Sequence, residues 1–176
     1  MKPLQSRWNN PRHPRPDRKS LDLFCRRSAA LAGLPDGDWE LELLFTNDRS
    51  MAGYNREIVG HRGATDVITL SWFDDPEGLF PGDPELLLIV NPDAAAREGA
   101  ARQDSSYARE MALYIVHGML HAAGEDDLEE PARRSMRAAE KRLLRALEKE
   151  FSFSRLFPEK KTARGSGPAA RAAAGS

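Results

Sequence analysis

Apolar positions recur with two different periods along this chain, and the switches between them outline its elements. Leu21, Phe24, Cys25 and Leu31 share one side of a helix that Ser20 can cap and Gly33 can end. Trp39, Leu41, Leu43 and Phe45 alternate with Glu40, Glu42 and Leu44, a strand period. Asn47 or Asp48 opens a second helix with Met51, Tyr54 and Ile58 inward, stopping near Gly60. Asp66 to Trp72 is β-branched and aromatic, hence a second strand. Glu85 to Asn91 is a nearly continuous apolar run, typical of a strand buried on both faces. Between these strands residues 74–84, rich in Pro, Gly and Asp, read as a loop. Pro92 suits the first turn of a third helix to about Gln103. Ser105 or Ser106 opens a long apolar helix ending at Gly124. Pro131 begins an amphipathic helix to about Glu150, with Met136, Leu143, Leu144 and Leu147 on its apolar side. This order gives a small sheet covered by helices, an α+β or α/β layered domain, of which we take α+β with a mixed sheet.

Outside residues 20–150 the pattern stops. Residues 1–19 hold four prolines and no hydrophobic period, and residues 151–176 become Ala- and Gly-rich, so a disordered basic arm and a disordered basic tail are expected. Residues 1–20 carry +5 and residues 151–176 carry +4, which leaves −10 on residues 21–150 for a net charge of −1. An acidic body with basic ends is not the broad basic face of a usual nucleic-acid binder, and the ends read first as solubilising tails. The single cysteine, Cys25, allows no internal disulfide, and a disulfide-linked partner is not expected. No apolar run approaches the roughly 18 residues of a membrane span, and the N-terminus lacks a signal-peptide core, so a cytoplasmic protein is expected.

The chemistry concentrates at His117-Gly118-Met119-Leu120-His121-Ala122-Ala123-Gly124-Glu125-Asp126-Asp127. Histidines four apart lie one above the other on a helix face. Gly124 can end that helix in a left-handed turn, after which Asp127 can fold back. Two imidazoles and a carboxylate leave one position open on a tetrahedral zinc, as catalytic rather than structural sites do. Nickel suits the same ligands. The apolar segment before His117 implies burial, where imidazole nitrogens need partners. The spacing also resembles the zinc site of metzincin proteases, but those need a Glu directly after the first His as general base. Gly118 cannot accept a proton, so a base must come from elsewhere, such as Glu125, Asp126 or Asp66. Bound water would still be acidified to a pKa near ~7.

At these residues the chain resembles the YbeY family of bacterial metal-dependent endoribonucleases, also called rRNA maturation factors. The family motif H-G-x-L-H-L-x-G-Y-D-H is met by His117, Gly118, Leu120, His121, Gly124 and Asp126 in register. Upstream, Asn55 precedes Thr65-Asp66-Val67-Ile68-Thr69-Leu70 as an Asn precedes the family's T-D-V-L-S-F strand; Met136 and Glu140 match its last helix. The resemblance implies a zinc-dependent, single-strand-specific endoribonuclease in rRNA 3′-end maturation and ribosome quality control. Its partners would be precursor rRNA and the ribosome or small-subunit proteins. Three positions depart from the family. Asp127 stands for the usual His, which should leave bound water less acidic. Val59 stands for an Arg thought to act on the phosphate, for which Arg56, His61 or Arg62 could substitute. Glu125 stands for Tyr. The expected site is therefore His117, His121 and Asp127 as metal ligands, with Asp66, Glu125, Arg56 and Arg62 as catalytic candidates. The alternatives are a peptidase-like metal hydrolase and a non-catalytic ribosome-assembly factor.

Overall fold

The computed structural model describes residues 1–75 and 82–160. Four strands form one mixed sheet in the order β1 (Gln5–Trp8), β2 (Leu41–Phe45), β4 (Leu86–Val90), β3 (Val67–Ser71). β2 pairs in parallel with both β1 and β4, and β3 runs antiparallel on the outer side of β4. The helices are α1 (Arg18–Ala32), α2 (Asp48–Tyr54), α3 (Pro92–Ala101), α4 (Tyr107–Ala122), α5 (Glu130–Glu148) and the short α6 (Phe153–Leu156). A π-helical turn, Asn55–Val59, prolongs α2 to Gly60. The α+β class and the mixed sheet expected from the sequence are both present. The residues expected to form a loop between β3 and β4 lie partly outside the described residues, which omit 76–81.

Strand alternation divides the apolar residues between two cores. Leu41, Leu43 and Phe45 lie in register with Leu86, Leu88 and Val90 and face α1, α4, α5 and α6. Leu44, Ile68 and Ile89 face the other way and pack on Met51 of α2. α4 runs through the larger core, with Met111, Ala112, Ile115, Val116 and Met119 removed from water. It approaches its neighbours closely at two glycines. A Cβ on Gly99 of α3 would come within 2.4 Å of the backbone of Ser106 and Tyr107 at the start of α4. A Cβ on Gly118 would meet Leu88 Cδ2 at 2.6 Å and Thr69 Oγ1 at 3.0 Å. Gly118 is therefore the point where α4 rests on the register pair Thr69 and Leu88 of the sheet.

Both ends differ from the expected disordered arm and tail. Residues 5–8 form β1, anchored by fully buried Leu4 and by Trp8, whose ring packs 4.7 Å from that of Phe45. Asp22 of α1 accepts the Leu4 N–H, and Arg26 donates to the carbonyls of Met1 and Lys2. A short edge strand with two apolar anchors has too little periodicity to register as a strand in sequence. The helix cap moves with it, from the expected Ser20 to Asp17, whose carboxylate accepts the Ser20 N–H. At the other end, Phe151, Phe153 and Phe157 set their rings edge-on to Phe24 of α1 at 5.5–6.0 Å. That aromatic cluster orders residues 151–160. The rest of the expected tail, 161–176, lies outside the described residues. Cys25 is free and buried, and no helix among the described residues is long and apolar enough to cross a membrane.

Asp93, buried in the first turn of α3, ties the N-terminal residues to the core. It accepts from Asn10 Nδ2 at 3.0 Å, from Arg12 at 3.1 Å and from the Asp48 N–H at 3.1 Å, and lies 3.0 Å from His13 Nε2. The His13 ring also stacks on Tyr107. Burial by itself would raise the Asp93 pKa, but the hydrogen bonds from Asn10, the Asp48 N–H and His13, with the Arg12 charge, hold it below the ordinary 3.8. The stability due to its ionised form is complete above that ordinary value and is lost as pH falls through the lower folded-state value. Asp93→Ala should cost about 2–3 kcal/mol, since it strands buried donors. Urea unfolding at neutral pH should show this loss, and limited proteolysis should show earlier cutting within residues 1–16. The destabilisation by Asp93→Asn should shrink as pH drops below the ordinary carboxyl range.

Candidate metal centre

The site forms where α4 leaves the core. His117 and His121 project from one face of the helix with ring centroids 4.4 Å apart, nearly perpendicular. The helix ends as expected at Gly124, which takes φ +94°. The Gly124 N–H then bonds the His121 carbonyl, and the Glu125 N–H bonds that of Leu120, each at 3.0 Å. Asp126 stiffens the bend by accepting the N–H groups of Asp127 (2.7 Å) and Leu128 (3.0 Å). Arg133 of α5 reaches back to donate to the carbonyls of Asp127 and Leu128, both at 3.0 Å. These contacts leave the Asp127 carboxylate 3.8 Å from His121 Nε2. One donor atom from each of His117, His121 and Asp127 lies within 4.8 Å of the others, so the group could hold a metal ion.

The ring nitrogens behave as a metal site requires. His121 Nδ1 lies 3.0 Å from the Glu125 carbonyl oxygen, and His117 Nδ1 lies 2.7 Å from Glu140 Oε1 on α5. A carbonyl or carboxylate oxygen only accepts, so both Nδ1 atoms carry the proton and both Nε2 lone pairs are left for a ligand. Burial alone would lower the His117 pKa, but the hydrogen bond and charge of Glu140, with the charges of Asp66 and Asp127, outweigh it and raise the pKa above the ordinary 6.5. The donor set and its orientation fit a divalent ion such as zinc.

Two cavities meet at His117. The larger, about 560 Å³, runs along the outer strand β3 and the π-helical turn, and includes Asn55, Val59, His61, Thr69 and His121 in its lining. The smaller, about 310 Å³, lies toward α5 and includes Asp66, Tyr114, Asp127, Arg133, Arg137 and Glu140. Asp66 is exposed at the start of β3, where its carboxylate accepts from the Thr65 hydroxyl and the Val67 N–H; it shapes the turn and also reaches the second cavity. Glu125 contributes its carbonyl to His121, and its side chain lines neither cavity. Arg56 is exposed beside Glu57 and Arg62 is exposed on the following loop; neither lines the groove. Val59 does line it. Glu140 shows what sequence reasoning undervalued: as a half-buried polar residue on an amphipathic helix it looks like a packing or solvated position. Only the packing of α5 on α4 sets it against His117.

A helix lodged on a mixed sheet, ending in a His-His-Asp cluster that faces a groove, defines a small α+β protein with a candidate metal-dependent hydrolytic centre. The family model described as "Endoribonuclease YbeY" matches residues 19–148, and the chain belongs to this family of endoribonucleases. Curated relatives named Endoribonuclease YbeY include one from Paramagnetospirillum magneticum, 35% identical over 130 residues, 70% of this chain and 79% of that one. Another, from Rhizobium meliloti, is 32% identical over 142 residues, 75% of this chain and 84% of that one. The solution structure of TM1509 from Thermotoga maritima is similar in fold, with a TM-score of 0.50 and 19% identity, covering 85% of this chain and 96% of that one.

Glu140→Gln removes the carboxylate that orients His117. It should weaken zinc binding about 10–100-fold in mildly alkaline buffer, measured by competition with a chromophoric chelator. In the wild type, protons compete with the metal for His117, and its raised pKa sets that competition in above pH 6.5. Zinc affinity should therefore fall steadily with acidification, from a higher pH than for an ordinary histidine.

Proposed function

We propose that the protein is a zinc-dependent endoribonuclease that cuts single-stranded RNA in the 3′-end maturation of ribosomal RNA and in ribosome quality control. In this reading it works in the cytoplasm with precursor rRNA and small-subunit proteins as partners. The observation that carries the reading is the convergence of His117, His121 and Asp127 at a groove, within a chain of this family. His117 Nε2, His121 Nε2 and an Asp127 oxygen would hold the ion, and nickel would suit the same donors. Bound zinc supplies Lewis-acid polarisation and an acidified water.

The chain's own groups do the rest. Glu140 and the Glu125 carbonyl keep both Nδ1 protons in place, so the ligand nitrogens stay fixed through turnover. Thr65, Thr69, Ser71 and Asn55 give the groove hydroxyl and amide groups for ribose and phosphate oxygens. Asp66, steadied by Thr65 and Val67 beside His117, is the carboxylate we assign as proton acceptor. Arg56 and Arg62, on the rim, would add only long-range attraction. Gly118 disfavours a peptidase, since its place against Leu88 and Thr69 leaves no room for a glutamate there. One observation favours a non-catalytic assembly factor instead: Val59 and the absence of any lysine or arginine lining the groove among the described residues.

Metal analysis and RNA cleavage on the same preparations decide between these readings. Wild type should carry one ion per chain and cut single-stranded but not duplex RNA. His121→Ala and Asp127→Ala should lose the ion and at least about 100-fold in rate. Metal-loaded wild type that leaves single-stranded RNA intact would instead identify the assembly factor. Exchanging the anionic ligand by Asp127→His raises the charge on the site, so bound water should ionise more readily and the pH–rate optimum should move down.

A further inference from the structure

Single-stranded RNA is held chiefly by cations that meet its phosphates, yet the β3-side groove offers only histidines among the described residues. The cavity on the α5 side of His117 and Asp127 is different, with Arg133 and Arg137 in its wall. Arg133 is engaged by the Asp127 and Leu128 carbonyls and by Glu130. In the cavity that continues past Asp66 and Tyr114, Arg97 is bound to Asp48, and Arg102 pairs with Glu98 and Glu110. Arg137 is exposed and has no partner among the described residues. One helical turn on, Lys141 is likewise exposed and unpaired among them, and it joins Arg137 in lining the adjoining hollow. Of the acids beside them, Glu140 is engaged by His117 and Glu110 by Ser105 and Arg102, while Asp104, which also lines the adjoining hollow, is exposed.

We infer that Arg137, followed by Lys141, is the phosphate-binding ladder of this protein. The RNA backbone passes from the metal-ligating side chains onto α5, which provides the cationic contact that Val59 cannot make on the opposite side. The inference rests on the endoribonuclease reading for the identity of the ligand. It adds that the strand is gripped on the α5 side and that Arg137 and Lys141 serve substrate affinity rather than turnover.

The test is binding of fluorescein-labelled oligouridylate to metal-loaded protein, followed by anisotropy across a salt series, with RNA integrity checked on a gel and cleavage measured separately. Arg137→Ala should weaken binding about tenfold at low salt and reduce the slope of log K against log salt by about 0.7, one single-strand phosphate contact. Arg137→Ala with Lys141→Ala should lower it by about 1.4. Arg137→Lys should recover most of the slope. Arg145→Ala, an exposed charge further along α5, should change neither. Melting temperature and bound metal should stay at wild-type values, and KM should rise while kcat holds. An unchanged slope in Arg137→Ala, or an equal drop in Arg145→Ala, overturns the inference. If RNA is bound in this Arg137-dependent way but never cut, the endoribonuclease reading fails while the binding surface stands.

Discussion

Two imidazoles at the end of a helix that is otherwise dry present four ring nitrogens, and each must find a partner at a fixed place. Much of the local architecture answers that demand. The helix must stop within one turn of His121, so that a backbone carbonyl can come round to its Nδ1; Gly124 provides the stop. A second helix must cross close enough to give a carboxylate to the other Nδ1, and Glu140 does so. With both inner nitrogens satisfied, the outer two are left directed toward the groove and the Asp127 carboxylate, where a ligand could use them.

The same demand explains why α4 sits where it does. Histidines can reach a groove beside β3 only if their helix lies almost against the sheet, and this is possible because position 118 has no side chain. A residue that looks like a missing catalytic base is thus a spacer set by packing. Further along, Asp126 and Arg133 bond backbone groups of the bend, and Arg133 also pairs with Glu130. Asp127 can therefore project a carboxylate while remaining partly open to solvent.

The pattern of apolar positions locates the helices and inner strands because each element buries one whole face, which leaves a period. The candidate metal ligands are legible for a related reason: i, i+4 spacing followed by glycine is a geometric statement within one segment. What escaped was tertiary. β1 is anchored by Leu4 and Trp8, the residues after it by a buried carboxylate 80-odd positions away, and Phe153 and Phe157 become core only against Phe24. Glu140 looked like any polar residue of an amphipathic helix, and no local feature links it to His117. Arg56 and Arg62 are cations near Asn55 in sequence, but their side chains stay outside the groove, and Val59 at the end of the π-helical turn lines it instead.

The assembly of the centre also has an order in time. Both histidines are synthesised before the residues that orient them: Asp127 needs Arg133, and His117 needs Glu140, all downstream. A nascent or truncated chain ending short of α5 would hold both imidazoles and the Glu125 carbonyl that meets His121, but neither the carboxylate that orients His117 nor the arginine that fixes the bend. The candidate metal centre is therefore incomplete until the last long helix docks, so that docking step, rather than the motif itself, brings its parts together.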